Sequence, residues 1–224
     1  MVDLGFQKIL EGVFLSKGKL CTLNSVPGMR VYGENLFTDS GKEYREWDIR
    51  RSKLAAGLKK GLRHWPFNPG ISVLYLGSAE GTTCSHVSDI VGPTGLIFGV
   101  DISARVMRKF LLLCETRKNL VPLMASANHP EKYSAYIKEK VDVVFQDVSQ
   151  KNQAEIFTKN CKQFLKKEGF GFLVIKSRSI DVSKAPKKVF AEQKRLLEPE
   201  FKILQEMELF PYEKDHAMFV VQLK

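Results

Sequence analysis

The sequence predicts an α/β protein in which a small antiparallel β unit precedes a parallel sheet flanked by helices. Two patterns carry this prediction. Short apolar runs separated by turn formers occupy the chain up to about Asp48, and from residue 71 apolar runs of strand length alternate with amphipathic segments. The composition, with 44% hydrophobic and 27% charged residues among 224, is that of a globular chain. It excludes disorder, collagen and a coiled coil.

The N-terminal unit is predicted from apolar runs at 13–15, 20–23 and 30–32, which are separated by turn formers such as Gly18 and the pair Pro27-Gly28. Near residue 50 the pattern changes, because the apolar residues at 54, 55, 58 and 62 fall on one face of a helix. We therefore predict an N-terminal β domain over residues 1–50 and a larger domain over residues 51–224.

The larger domain is predicted to hold parallel strands at 71–76, 95–100, 141–145 and 171–175, with one further candidate at 121–124. Helices are expected around 83–91, 104–118, 131–138 and 151–167. A basic amphipathic segment at 186–197 is followed by strand candidates near 201–209 and at 217–223. This alternation is typical of βαβ units, in which ligands bind at the carboxyl ends of the strands.

Charge and cysteine content narrow the function classes. The chain has 35 Lys and Arg against 25 Asp and Glu, a net charge of +10, which favours a polyanion such as nucleic acid or an anionic membrane. No run approaches the roughly 20 apolar residues of a membrane span, and residues 1–6 carry no signal pattern. We therefore expect a soluble, intracellular protein. The four cysteines form no CxxC pair, so they are expected to be reduced, and no metal site is predicted.

The loop after the first parallel strand is a candidate ligand site. Gly77 and Gly81 permit a tight turn and a close approach of the backbone to a ligand, and Thr82 and Thr83 add hydroxyl groups at the start of a helix. The spacing is neither that of the dinucleotide motif GxGxxG nor that of a phosphate-binding loop. A cofactor loop and an ordinary strand-to-helix turn therefore both remain open.

Charged side chains follow three of the predicted parallel strands. Asp101 comes about 20 residues after the glycine loop, where a carboxylate can bind both hydroxyls of a ribose, although it can also cap the next helix. Asp147 and Lys176 follow two later strands. Because the carboxyl ends of parallel strands meet at one edge of a sheet, we expect these charges to face one crevice.

Several long motifs, spread along nearly the whole chain, occur in a fixed order. They are RSKLAA at 51–56, VLYLGSAEGTT at 73–83, SHVSDIVG at 85–92, VDVVFQDVSQ at 141–150, IKSRSID at 175–181 and EKDHA at 213–217. In these motifs the chain resembles fibrillarin, the methyltransferase of box C/D ribonucleoproteins. It begins with the β unit and carries no Gly/Arg-rich segment, so it resembles the archaeal form, for which a cytoplasmic location is expected.

The resemblance implies a fold and an activity. The fold is that of a class I S-adenosylmethionine-dependent methyltransferase, Rossmann-like, with a seven-stranded, mostly parallel sheet behind a small N-terminal antiparallel β domain. The activity is 2′-O-methylation of ribose in rRNA or tRNA. The implied partners are a box C/D guide RNA that pairs with the target, a Nop-family scaffold protein and, indirectly, a kink-turn-binding protein. A non-catalytic structural subunit of the same ribonucleoprotein is the alternative.

The resemblance also implies which residues hold S-adenosylmethionine. They are Gly77, Ser78, Ala79, Gly81, Thr82, Thr83, Asp101, Ile102, Ser126, Ala127, Asp147, Val148 and Gln150. The family often has Glu and an aromatic residue where this chain has Asp101 and Ile102, and usually Asp where it has Ser126. Glu80 is unusual in the glycine loop, where it is expected either to face solvent or to favour the cationic sulfonium. Ser126 and Glu80 motivate the structural alternative.

Four positions match the family's catalytic set, namely Lys53, Asp147, Lys176 and His216. Lys176 is expected to take or orient the proton of the ribose hydroxyl, which requires its neutral amine. A second lysine and the sulfonium favour that form, whereas Asp147 opposes it and orients the side chain. His216 is expected to orient and polarise. Lys53 also fits a solvated lysine, and His216 a hydrogen-bonded residue at the start of a strand.

Other features are expected to be structural or to contact RNA. Basic stretches at 59–63, 105–109 and 184–195 fit an RNA phosphate path, and each also fits an ordinary solvated helix face. Trp47, Phe37 and Tyr44 are predicted to lie in the core between the domains. His86 is predicted to be a packed structural residue.

Overall fold

The structure, a computed structural model, describes residues 5–224 and contains two sheets. Residues 1–4 of the predicted N-terminal domain lie outside the described residues. The first sheet is antiparallel, in the order β1-β2-β3-β5-β4, which confirms the predicted β unit. Its strands are β1 (Gln7–Leu10), β2 (Val13–Ser16), β3 (Lys19–Leu23), β4 (Leu36–Asp39) and β5 (Lys42–Glu46).

One predicted run in this unit, at 30–32, is not a strand. Its backbone N–H groups are satisfied locally, because the carboxylate of Glu34 accepts those of Val31 and Tyr32 at 2.9–3.1 Å. A segment held in this way has no free donors for a neighbouring strand. The predicted domain boundary at residue 50 falls in the turn that joins β5 to the first helix.

Helix α1 (Lys53–Lys59) begins at the predicted place, because the hydroxyl of Ser52 accepts the N–H of Ala55 at 3.3 Å and caps it. It ends before residue 62, the limit that periodicity predicts. Gly61 has φ +88°, a left-handed conformation that stops the helix. Lys53 is therefore the first helical residue, and the capping bond of Ser52 fixes the position of its backbone.

The second sheet has seven strands in the order β11-β12-β10-β9-β6-β7-β8. The strands are β6 (Ser72–Leu76), β7 (Leu96–Asp101), β8 (Leu120–Met124), β9 (Val141–Gln146), β10 (Leu165–Lys176), β11 (Phe201–Glu208) and β12 (His216–Leu223). Only β12 runs antiparallel to its neighbours. β7 and β9 flank β6, and β6 therefore lies at the switch point, where α/β sheets bind ligands.

The remaining helices are α2 (Thr82–Val91), α3 (Ala104–Thr116), α4 (Gln153–Phe164), α5 (Ser177–Ile180) and α6 (Pro186–Leu197). The helix predicted at 131–138 is wrong, because two 3-10 turns, Pro130–Lys132 and Ser134–Tyr136, occupy it. Tyr133 between them has φ −124°, its ring is buried and its hydroxyl donates to Asn160. β10 also begins at Leu165, inside the predicted helix 151–167.

Apolar residues cover both faces of the larger sheet. Alternate residues of β6 divide between two core clusters, with Val73 and Tyr75 in one and Leu74 and Leu76 in the other, as a strand buried on both faces requires. The four cysteines are free, as predicted. Within residues 5–224, no helix combines the length and the apolar character needed to cross a bilayer.

A buried polar network joins the two sheets through α2. Asp89 on that helix accepts the N–H of Ser25 at 2.9 Å and pairs with the guanidinium groups of Arg45 and Arg117. Arg45 also pairs with Glu34 at 2.6 Å, and both side chains are 0% exposed. The charges are thus mutually compensated where water is absent.

Aromatic rings complete this contact. His86 is fully buried, bonds to Thr22 and Tyr32, and stacks on Trp47 with ring centroids 4.9 Å apart. Burial, together with the nearby arginines, holds the pKa of His86 well below its usual value. The predictions for His86 and Trp47 are confirmed. Phe37 and Tyr44 instead pack with Phe6 within the N-terminal unit, so their placement between the domains is wrong.

Candidate active site

A cavity of about 280 Å³ opens at the carboxyl edge of the larger sheet, beside the switch point. The loops that follow β6, β7, β8 and β9 form its wall. The lining residues are Gly77, Ala79, Val100, Asp101, Ile102, Ala125, Ser126, Ala127, Asn128, Asp147, Val148, Ser149, Gln150 and Ile156. Most residues predicted to hold a cofactor are therefore neighbours in the fold.

Gly77 is required for the shape of this cavity. Its φ is +83°, and a Cβ atom there would overlap the carbonyl oxygen of Asp147. The N–H of Gly77 donates to Val100 at 2.8 Å, and that of Asp147 donates to Leu76 at 2.9 Å. These bonds draw the glycine loop against the end of β9, and only a glycine fits between them.

Asp101 serves the loop structure and still offers lone pairs to a ligand. One carboxylate oxygen accepts the N–H of Ala79 at 3.0 Å, and the other accepts the N–H of Ser103 at 2.9 Å. A carboxylate has about four acceptor sites, so each oxygen can accept one more bond. The N-cap of α3 is Ser103, with no side-chain cap bond, so the carboxylate of Asp101 does not cap that helix, and ribose binding stays a prediction. Ile102, next to it, is 66% exposed on the cavity wall.

The rest of the glycine loop lies outside the cavity lining. Gly81 faces α3, where a Cβ atom would overlap Leu113. Thr83 is buried, and its hydroxyl donates to Ser52 at 3.0 Å, which links the loop to the start of α1. Ser78 is also buried, and Thr82 begins α2. Cofactor contacts by Ser78, Gly81, Thr82 and Thr83 stay predictions.

Glu80 and Ser126, two of the departures from the family pattern, have separate environments. Glu80 is exposed, lies outside the cavity lining and pairs with Lys109 at 2.7 Å. Ser126 lines the cavity, and its hydroxyl oxygen accepts the N–H of Asn128 at 3.3 Å. That hydroxyl keeps its own proton and a second lone pair for a ligand.

A charged cluster adjoins the cavity at Asp147. The ammonium nitrogen of Lys53 lies 3.4 Å from the Asp147 carboxylate and 3.7 Å from that of Glu213. Burial of Lys53 by itself favours the neutral amine, but the two carboxylates outweigh it and raise the pKa of Lys53. Lys53 is therefore held as a cation, and Asp147 belongs to both the cavity and the cluster.

Lys176 and His216 face each other across two paired strands. They are register partners at the end of the antiparallel pair β10–β12, and the N–H of Ser177 donates to Asp215 at 3.1 Å. The backbone groups of Lys176 point away from β12, toward Gln153. This is the non-hydrogen-bonded type of pair, in which the two Cα atoms approach to about 4.5 Å and the side chains are closest.

His216 has a defined hydrogen-bond role. Its Nδ1 lies 2.7 Å from the carbonyl oxygen of Lys214, and because a carbonyl only accepts, Nδ1 carries the proton. The neutral ring then presents Nε2 as an acceptor. Glu213 lies 3.9 Å from the same Nδ1, so one carboxylate adjoins both Lys53 and His216.

Two features of this cluster differ from expectation. Asp147 forms its ion pair with Lys53 rather than with Lys176, and among the described residues Lys176 has no ion-pair partner. Glu213 was not predicted as a site residue, although it opens the motif at 213–217. Its position three residues before His216 is the signal that could have indicated it.

The seven-stranded sheet with one antiparallel strand, the cavity at its switch point and the acidic residue at the end of β7 together define a class I methyltransferase fold. The sequence profile of the family described as Fibrillarin matches residues 6–224. This chain belongs to the fibrillarin family.

Individual relatives are similar over most of their length. A protein of Thermococcus onnurineus named fibrillarin-like rRNA/tRNA 2′-O-methyltransferase is 52% identical over 91% of this chain and 90% of its own. A fibrillarin of Aeropyrum pernix, solved with natively bound S-adenosyl-L-methionine, is 44% identical with a TM-score of 0.87 over 94% of each chain. A chain of a fibrillarin/Nop5p complex is 39% identical with a TM-score of 0.89, over 97% of this chain and 100% of that one.

Proposed function

We propose that this protein transfers the methyl group of S-adenosylmethionine to ribose 2′-hydroxyls of rRNA and tRNA, directed by a box C/D guide RNA. The observation that carries the proposal is the placement of Asp147, which lines the cavity and also pairs with Lys53. Cofactor site and catalytic cluster therefore share one carboxylate. The names of the relatives, the bound S-adenosylmethionine of one and the Nop5p partner of another support the same activity, cofactor and assembly.

The cavity residues fit S-adenosylmethionine. Asp101 retains two acceptor positions for the ribose hydroxyls, Ile102 offers an apolar face to the adenine, and Ser126 can accept a bond from the adenine amino group. The glycine at 77 keeps the loop clear of side chains. When bound, S-adenosylmethionine supplies an electrophilic methyl group on a positively charged sulfur.

The chain's own residues position the acceptor hydroxyl and manage its proton. The proposed base is Lys176, which has no ion-pair partner among the described residues, whereas Lys53 lies between the carboxylates of Asp147 and Glu213. His216 is proposed to orient the bound ribose, while the single proton of the reacting hydroxyl passes to Lys176. The opposite charges of Lys53 and Asp147 compensate each other beside the cavity. Most of the acceleration then comes from positioning.

The RNA partners follow from charge and from the family. A net charge of +10 favours RNA phosphates, and the chain has no aromatic RNA-binding motif, so guide pairing rather than base readout by this chain selects the target. We propose a Nop-family scaffold as the direct protein partner, a kink-turn-binding protein as an indirect one, and a cytoplasmic location.

The decisive experiment is guide-directed methylation in a reconstituted ribonucleoprotein. Methyl transfer from labelled S-adenosylmethionine should occur at the nucleotide that the guide specifies and should move when the guide sequence is changed. A Lys176→Ala variant should assemble normally and lose the activity. Methylation at the normal rate by this variant would contradict the assignment of Lys176.

The structural-subunit alternative is tested by calorimetry on the chain alone, beside a Ser126→Asp variant. Saturable binding of S-adenosylmethionine by the natural chain, with tighter binding by the variant, is expected of an enzyme. Failure of the natural chain to bind, with rescue by Ser126→Asp, would favour a subunit that needs a partner or has no catalytic role.

A further inference from the structure

Gln153, the first residue of α4, contacts the backbone of two segments of the site. Its side-chain oxygen accepts the N–H of Lys176 at 2.9 Å, and its side-chain nitrogen donates to the carbonyl of the same residue at 3.2 Å. The same nitrogen donates to the carbonyl of Gln150 at 2.7 Å. Gln153 is 0% exposed, so no water competes for these bonds.

The side-chain amide of Gln153 supplies the hydrogen bonds that a neighbouring strand would otherwise give to Lys176. Pairing of β9 with β10 stops at Gln146 and Leu173, and the last residues of β10 extend beyond their parallel neighbour. The N–H and C=O of Lys176 would have no strand partner on that side, and buried backbone groups without partners are costly. The primary amide supplies one acceptor and one donor in their place.

The backbone of Gln153 is itself fixed by a hydrogen bond. The backbone carbonyl of Gln153 accepts a hydrogen bond at 2.7 Å from the side chain of Gln146, the last residue of β9. Gln146 is also 0% exposed. The end of β9, the start of α4 and the end of β10 are therefore joined by side-chain amides in a dry environment, where such bonds are strongest.

We propose that Gln153 is a positioning residue for methyl transfer, because it fixes the backbone of Lys176 relative to the cavity loop that ends at Gln150. The inference rests on the proposed role of Lys176. A lysine amine stands on a flexible four-carbon stem, so the point where that stem leaves the backbone decides which volume the amine can reach. The side-chain amide of Gln153 binds both the backbone of Lys176 and the carbonyl of Gln150 in the loop after β9.

The test compares Gln153→Met with Gln193→Met in the reconstituted ribonucleoprotein at saturating S-adenosylmethionine. Gln193 is a matched control, because it is a 6% exposed glutamine whose oxygen accepts the N–H of Ala154, the next residue of α4. Displacement of a reacting group by about 1 Å costs on the order of 100-fold in rate. We expect a loss of that order in kcat for Gln153→Met, with a smaller change in KM for S-adenosylmethionine. Gln193→Met should keep the natural rate.

A conservative variant separates positioning from a purely structural role. Gln153→Glu keeps the acceptor for the N–H of Lys176, but once ionised it can no longer donate to the carbonyls of Lys176 and Gln150. The rate relative to the natural chain should therefore fall as pH rises and the new carboxyl ionises, whereas the protonated carboxyl keeps one donor and a rate closer to the natural one. This readout also remains available if Gln153→Met does not fold.

A Lys176→Met variant distinguishes failure of this inference from failure of the proposed function. If Lys176→Met methylates at the natural rate, the role of Lys176 is wrong. If Lys176→Met is slow while Gln153→Met matches Gln193→Met, or if Gln153→Glu leaves the pH profile unmoved, the positioning role of Gln153 is wrong.

Discussion

Replacement of Asp89 by Asn should destabilise the protein more than any exposed charge substitution. The side chain of Asp89 is 0% exposed and is the ion-pair partner of both Arg45 and Arg117, whose side chains are 0% and 1% exposed. Removal of one partner from a buried ion pair costs about 3–5 kcal/mol, because the remaining charge stays buried without compensation. A domain of this size loses about 2–4 °C in Tm per kcal/mol. The expected fall in Tm is therefore about 6–20 °C.

The assay is equilibrium urea unfolding combined with a thermal scan, and Glu80→Gln is the control. Glu80 pairs with Lys109 at a similar distance of 2.7 Å, but the two side chains are 46% and 63% exposed, and exposed pairs contribute at most about 1 kcal/mol. A free energy of unfolding for Asp89→Asn within about 1 kcal/mol of the natural value would refute the reasoning. It would mean that the two guanidinium groups find other partners.

Three further outcomes are expected. Gly77→Ala should weaken S-adenosylmethionine binding by about tenfold or more, since a left-handed residue with a Cβ costs about 1–2 kcal/mol and the new atom overlaps Asp147; unchanged affinity by calorimetry would contradict this. Burial opposes ionisation of Glu34, but ion pairing with Arg45 and backbone N–H groups lower its pKa below the usual 4.5. The stabilisation that this carboxylate gives is complete above that value and disappears as pH falls through the lower folded pKa. Between pH 5 and 3, the free energy of unfolding in urea should therefore depend less on pH for Glu34→Gln than for the natural chain. Glu213→Gln should lower the pKa of Lys53, and NMR titration of labelled lysine should detect the change.

Sequence patterns predicted the central strands of the larger sheet well, because parallel strands buried on both faces are continuous apolar runs. The hairpin of β4 and β5 was missed, since KEYRE in β5 is mostly charged, and its identity as a strand depends on a turn at Ser40 and Gly41, both with positive φ. The helix predicted at 131–138 failed because burial of Tyr133 outweighed the local propensity.

The candidate site was predictable where residues lie at the ends of strands. Asp101, Asp147 and Lys176 follow apolar runs, so a parallel sheet brings them to one edge. The spacing of Glu213 three residues before His216 could have indicated it, whereas nothing in the sequence indicates the contacts of Gln153 with Lys176. The role of Gln153 depends on tertiary packing that only the fold reveals.

The pairing of Lys176 with His216 limits how the gene for this protein can change over evolution. Six successive pairs join β10 to β12, from Gly171 with Val221 to Lys176 with His216. A codon inserted or deleted within this stretch would turn one of the two side chains to the opposite face of the sheet. Length variation should therefore accumulate in surface loops, whereas the count of residues in these strands stays constant even where their apolar side chains are exchanged.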